Sequence, residues 1–244
     1  MDRHPYRAGY SVLPALRKID PAAVFQPDPL HGRWFAEQKL RSMCFQKCRV
    51  ESDCPQAVYA AAARFVCDHY PIHLHGPCSV MGGWTGPWVF DSLARQVQED
   101  LVIVRVDGDR DWMAAGHVCF PSGWDPAEKV GKGLDAIHAP VPGMTRGNGH
   151  KLAEAMVRSG PFERYVWGVV FAEDLNGHPK RARATFDPRS PAVWVKVERQ
   201  VTVPLPDADA ALFVLQYALV GPGEIDTPAL AAALESMSRS EEHT

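Results

Sequence analysis

No apolar stretch in this 244-residue chain approaches the roughly 20 residues that span a bilayer. Its start, Met1-Asp2-Arg3-His4-Pro5, lacks the apolar core of a signal peptide. There is no strong charge of either sign: 26 Lys and Arg against 29 Asp and Glu leave a net charge of -3. That balance gives no reason to expect a general nucleic-acid or anionic-membrane binder. No Gly-rich phosphate fingerprint follows a strand-like segment, which argues against a P-loop or a dinucleotide-binding fold. Ser122 lacks the Gly-x-Ser-x-Gly elbow of a hydrolase nucleophile. No Cys-x-x-Cys pair occurs, so no standard zinc module is expected. The cysteines are read as reduced thiols in a cytoplasmic protein.

Prolines are plentiful and punctuate the chain, against a bundle of long helices. Residues 1–33 form a Pro-rich leader that wraps over the surface or reaches a partner. Residues 34–49 suit a helix moderately. Ser52-Asp53-Cys54-Pro55 reads as a helix start, capped by Asp53 or Ser52, for an Ala-rich helix over 56–68. Residues 71–88 are loop or hairpin. Phe90, Leu93, Ala94 and Val97 make a helical stripe. Leu101 to Val106 is a buried strand, turned by Asp107-Gly108-Asp109-Arg110 into a returning strand over 112–120. Asp125-Pro126-Ala127-Glu128 carries a cap, a first-turn proline and a capping-box acid for a short helix broken at Gly131 or Gly133. A helix over 148–159, strands over 165–172 and 192–203, the apolar run 211–220, which suits strand or helix and is read as strand, and a closing helix over 228–237 complete the reading. The fold class is α+β: a mainly antiparallel sheet flanked by helices. Residues 1–87 form a leader and helical N-terminal extension packed on a core of residues 88–244.

Several residues could carry chemistry. Period two in the strand from Trp194 puts Val195, Val197, Arg199, Val201 and Val203 on one face. Trp194, Lys196, Glu198, Gln200 and Thr202 share the other. A guanidinium in line with valines needs an anion or several carbonyls. It pairs with Glu99, Asp100 or Glu128, or it meets a ligand carboxylate. His117 shares a strand face with Met113, Ala115 and Cys119, where a satisfied core histidine is the ordinary outcome. His138 precedes Pro140 and Pro142, which stiffen the chain and fix the ring direction; an imidazole presented in this way suits metal or haem ligation. Cys67, His69, His73, His75 and Cys78 crowd one stretch, with Cys44, Cys48 and Cys54 upstream. They are read as free thiols and surface histidines, with a haem-free metal site as the competing reading.

Four segments occur in a specific order: Ala94 to Leu101 (ARQVQEDL); His117 to Trp124 (HVCFPSGW); Lys129-Val130-Gly131 running to Ile137-His138-Ala139-Pro140-Val141-Pro142; and Val197-Glu198-Arg199-Gln200 followed by Leu205-Pro206. This set resembles the haem-dependent oxidative N-demethylase family, haem-binding alpha-subunit type, from about Trp88 to Tyr217. The resemblance implies a PAS-like haem-binding fold, b-type haem and iron. It implies O₂-dependent monooxygenase oxidation of a small secondary amine such as dimethylamine, giving formaldehyde. Electrons would come from NADPH through a separate flavin and iron–sulfur reductase subunit. By motif, His138 is the proximal iron ligand, with His117 in reserve. Arg199 and Glu198 are pocket and catalytic candidates, Arg199 also a propionate partner, and Trp124 and Lys129 are further cofactor-binding candidates. With no Cys-x-x-Cys-His motif, covalent haem attachment is not expected. The competing function is a haem PAS-type gas or redox sensor without turnover. An acid-lined pocket would mark the enzyme and an apolar one the sensor.

Overall fold

The computed structural model describes residues 1–6, 16–74, 86–139, 147–189 and 192–241. In chain order the elements are β1 (Arg17–Lys18), α1 (Gly32–Phe45), β2 (Arg49–Glu51), α2 (Gln56–His69), α3 (Pro87–Gln96), β3 (Asp100–Asp107), β4 (Arg110–His117), α4 (Pro126–Lys129), α5 (Leu134–His138), α6 (Gly149–Arg158), β5 (Phe162–Val170), β6 (Trp194–Leu205), β7 (Ala210–Val220) and α7 (Thr227–Glu241). The strands form one sheet in the order β1-β5-β6-β7-β3-β4-β2, every neighbouring pair antiparallel. The α+β class is as expected from the sequence.

Burial of both sheet faces explains the apolar runs. On one face Leu101, Ile103, Val201, Leu212 and Val214 pack against Val58, Ala62 and Val66 of α2 and Phe90, Leu93 and Ala94 of α3. On the other, Val102, Val104, Met113, Leu215 and Tyr217 meet Phe35 of α1, Leu134 of α5 and Ala153, Met156 and Val157 of α6. Val195, Val197 and Val220, at one end of β6 and β7, are covered by Leu230 and Ala233 of α7 and by Tyr6. The β3–β4 hairpin closes through Gly108–Asp109, with φ of 55° at Gly108. Glycine reaches that left-handed backbone without steric cost.

Several local expectations change. β2, which starts at the end of the stretch read as helix, pairs with β4 and becomes the sheet edge. Neither Ser52 nor Asp53 caps α2; Pro55 holds that position, and Asp53 takes a positive φ of 49°. Asp125 does cap α4, accepting from the Ala127 amide at 2.9 Å. Within the leader, read as wrapping over the surface or reaching a partner, Tyr6, Val24 and Phe25 are buried. Cys67 is disulfide-bonded, which corrects the expectation of reduced thiols throughout; Cys44, Cys48, Cys54 and Cys119 are free. His75 and Cys78 lie outside the described residues, as do Pro140 and Pro142. Among the described residues no group of three or more His, Cys, Asp and Glu side chains is placed to hold a metal ion, and no helix is long and apolar enough to cross a membrane.

Arg199 shows why the leader belongs to the core. It is wholly buried, and its guanidinium donates to Glu163 Oε2, Val24 O and Ala23 O, each at 2.7 Å. Its ion-pair partner is therefore Glu163 of β5, not Glu99, Asp100 or Glu128. Glu163 also accepts from Arg17 of β1. One buried carboxylate thus ties β1, β5 and β6 together, and the two carbonyls add the leader.

Breaking such a buried pair strands a charge, at a cost of about 3–5 kcal/mol. We expect Arg199→Ala to lose that much in chemical denaturation, with Arg199→Lys recovering only part because it lacks the fork geometry. Two carboxyls should give pH slopes of opposite sign. Burial raises the Glu163 carboxyl, but Arg17 and Arg199 outweigh it and hold it below 4.5. Its contribution is therefore present above pH 4.5 and is lost as pH falls further. Glu99 is wholly buried with no hydrogen-bond partner on either oxygen among the described residues, and burial pushes it from 4.5 up to about 7. Its favourable contribution is full below pH 4.5 and is lost as pH rises through about 7. Melting temperatures measured across this range should decline toward neutrality in the wild type, and Glu99→Gln should flatten that decline.

Candidate functional site

Period two in β5 and β6 builds one wall of a groove. Val166, Gly168 and Val170 of β5 line it beside Lys196 and Glu198 of β6, with Ser122 from the loop after β4. The cavity measures about 510 Å³, and Phe171, Ala172, Asp174, Leu175, Asn176 and Gly177 also line it. At Gly168 an added Cβ would meet no atom within 4 Å, so the strand presents open space there. Glu198 is buried, yet its carboxylate reaches the cavity. Ser122 Oγ donates to Oε2 at 3.1 Å and Gln200 Nε2 donates to Oε1 at 2.5 Å. Lys196 stands two residues along the same face. Its ammonium donates to Phe120 O at 2.8 Å and Leu175 O at 2.7 Å and lies 4.8 Å from the Tyr217 ring centroid. Burial lowers Lys196 from 10.5 to about 8, against the pull of Glu198, Asp100 and Asp174. The groove therefore has a charged floor.

His138 ends α5, and that short helix is pinned at several points. Asp111 Oδ2 accepts from the Leu134 amide at 2.6 Å, and Lys129 Nζ donates to Ile137 O at 2.5 Å. Asp135 Oδ1 accepts from the Gly149 amide at 2.9 Å, which docks α5 on the start of α6. A Cβ on Gly149 would come 2.5 Å from the Asp135 nitrogen, so the close approach requires glycine. His138 Nδ1 lies 2.8 Å from Leu134 O. A carbonyl only accepts, so Nδ1 carries the proton and Nε2 keeps its lone pair in the neutral ring. Among the described residues no hydrogen bond reaches Nε2. Burial pulls the imidazole below 6.5, and the cations of Arg164 and Lys129 add to the effect. The ring direction thus comes from the helix carbonyl, where the sequence pointed to the following prolines. His138 itself does not line the cavity. Its electrostatic neighbour Arg164 lies on the same β5 face, two residues from Val166, and donates to Gln200 Oε1 at 2.6 Å.

The other candidates scatter. His117 is buried with both ring nitrogens engaged: Nδ1 is 2.7 Å from Asp91 Oδ1, and Nε2 is 3.4 Å from Cys119 Sγ. It does not line the groove, and a metal would have to displace one of those partners. Arg199 points to the face opposite the groove and is taken up by Glu163, so the β6 pleat separates it from Glu198. A propionate there would have to break the Glu163 pair. Trp124 is half-buried against the second core cluster, and Lys129 braces α5. Sequence reasoning gave no role to Lys196 or Arg164 and weighed Ser122 only as a nucleophile. Strand period had already placed Lys196 beside Glu198, and that was the available signal.

The depressed basicity of His138 has a measurable consequence. In NMR titration of the protein, its ring should titrate below pH 6.5, and Leu134→Pro, which distorts the accepting carbonyl, should broaden or shift that transition. An ordinary titration midpoint at His138 would contradict the described burial.

Two observations converge here: a neutral imidazole with an unengaged Nε2, and a polar groove on the same side of the sheet. A comparison with curated proteins gives no match. Residues 81–240, more than half of the chain, match the family described as haem-dependent oxidative N-demethylase, alpha subunit-like. This span contains all four segments that carried the sequence resemblance, together with α5 and every groove residue named above, and the chain belongs to that family.

Proposed function

We propose that the chain is the haem-binding oxygenase subunit of an oxidative N-demethylase, acting on a small secondary amine such as dimethylamine. Family membership makes it a haem-dependent oxidative N-demethylase-like protein whose alpha-subunit character implies partner subunits. The finer reading is ours: haem b, O₂ as co-substrate, formaldehyde as product, and electrons from NADPH through a flavin and iron–sulfur reductase. We also propose that residues 88–244, in a PAS-like sheet, carry the cofactor while residues 1–87 brace them.

The residues present fit a haem. His138 offers Nε2 from a ring oriented by Leu134 O, the second-shell arrangement that favours metal ligation. Gly168 leaves the β5 surface open to a flat group. Lys129 and Arg164, the cations nearest His138, suit propionates. When bound, the haem supplies the one-electron and O₂ chemistry that side chains cannot.

The chain's own part is binding and proton handling. An ammonium substrate entering the groove meets Glu198, whose carboxylate is aimed by Ser122 and Gln200. That contact orients the N-methyl group and can hold the amine proton at Glu198 Oε2. Lys196 stands on the same face, and the Glu198 charge opposes the loss of its proton that burial favours. The observation that carries the reading is the Glu198 carboxylate held at this cavity by Ser122 and Gln200, beside the lining cations Lys196, Arg181 and Arg183 and the Arg181-paired Asp174; a pocket without such a carboxylate would have favoured a gas sensor without turnover.

Hemin titration tests it. The purified protein should take up one haem non-covalently with a Soret band, and a colourless product would refute the reading. His138→Ala should weaken uptake at least about tenfold, the loss expected for a metal-site contact. His117→Ala should leave the Soret position unchanged. Because His138 sits below 6.5, wild-type ligation should persist under mildly acidic conditions where an ordinary histidine is already protonated. Glu198→Gln should spare haem binding and abolish the spectral shift induced by dimethylamine.

A further inference from the structure

We propose that a second cavity, separate from the groove, binds an alkylated ammonium cation. It measures about 480 Å³ and lies between the N-terminal segment, the start of α1, and the ends of β6 and β7. Its walls are aromatic: Trp34 and Phe35 from α1, Trp194 at the start of β6, and Tyr217 in β7. Trp34 is braced edge-on against Phe35, with ring centroids 5.1 Å apart. Gly221 also lines the cavity, and a Cβ there would come within 4.0 Å of Trp194 Nε1, so the missing side chain leaves that indole open.

The charges in the lining select the ligand. Three carboxylates face the cavity: Asp28, Glu173 and Glu224. Arg3, also in the lining, is paired with Glu224 at 2.7 Å. His31 lies 2.8 Å from Asp28. Glu173 has no ion-pair partner among the described residues. Met1 also lines the cavity, so its terminal ammonium and Arg3 stand against three carboxylates, a surplus of one beside the indole walls. An anion would meet net repulsion, since Arg3 is already neutralised. An apolar ligand would desolvate Glu173 with nothing in return. A hard metal ion needs several converging oxygens, and among the described residues none are so placed. A cation whose charge is spread over alkyl groups satisfies both features: the indole faces attract it, and the carboxylate neutralises it.

The two cavities share a wall without sharing these residues. Ala172 and Asp174 line the groove while Glu173 lines the second cavity, and Lys196 and Trp194 divide in the same way. The proposal does not depend on haem binding, so the two readings fail separately.

Calorimetric titration of the purified protein with tetramethylammonium chloride, against sodium chloride at equal ionic strength, tests it. Saturable binding specific to the organic cation is expected, in haem-free and haem-loaded protein alike. Glu173→Gln and Trp194→Ala should each weaken it about two- to fivefold, the scale of one solvent-accessible cation–π or charge contact. Glu198→Gln, in the groove, should leave it unchanged. Glu173 is exposed, so its variant reports on binding even if the tryptophan variant folds poorly. A response matched by sodium chloride would overturn the proposal. So would weakening by Glu198→Gln with none by Glu173→Gln, because the cation would then sit in the groove.

Discussion

The pleat of β6 is the constraint on which the rest depends. Twelve residues in one strand, Trp194–Leu205, must send alternate side chains to opposite faces. One set is four valines and Arg199; the other includes Lys196, Glu198 and Gln200. The first set buries against α2, α3 and α7 and ties in the leader through the Arg199 guanidinium. The second set floors the groove. Shifting the register by one residue would exchange the faces, placing two more charges in the apolar layer and the valines in the cavity. The antiparallel pairing of β6 with β5 and β7 along its whole length prevents that slip.

Much of this was legible in the sequence because the patterns are local. The β3–β4 hairpin, the Asp125 cap, the three later strands and the closing helix each follow from spacing and turn residues within a dozen positions. So does the division of β6 into two faces. What stayed hidden depends on long-range pairing. β2 is three residues long, too short to show alternation, and is a strand only because β4 offers it an edge. The Arg199 partner lies on β5, and no spacing rule selects Glu163 over Glu99. The His138 ring was tied to the prolines after it, whereas the structure uses the carbonyl one helical turn before it, in a helix too short to show periodicity.

The candidate site follows the same division. Glu198 could be placed on a face by parity, and the structure puts that face at a cavity. His117 and Arg199 attracted attention as polar residues among apolar neighbours, the signature of a functional residue and of a satisfied core residue alike. Pairing decides between them. His117 has Asp91 and Cys119, Arg199 has Glu163 and two carbonyls, and neither reaches a cavity described here. His138 differs: among the described residues no hydrogen bond reaches its Nε2.

Buried charge is distributed unevenly, and the unevenness separates framework from site. Arg199 and Glu163 are mutually compensated, so they stiffen the sheet. Lys39 is likewise satisfied, donating to the Ala94 and Glu99 carbonyls at 2.8 and 2.5 Å. Lys196 and His138 are compensated only in part: carbonyls accept from them, yet burial still lowers both toward the neutral form. Lys196, lowered to about 8, exchanges its proton closer to neutrality than an exposed lysine does. Lys196 and His138 stand on the α5–α6 side of the sheet, the side on which Glu198 meets solvent-accessible space. The face that carries Lys196 and Glu198 thus keeps part of its buried charge uncompensated beside the groove.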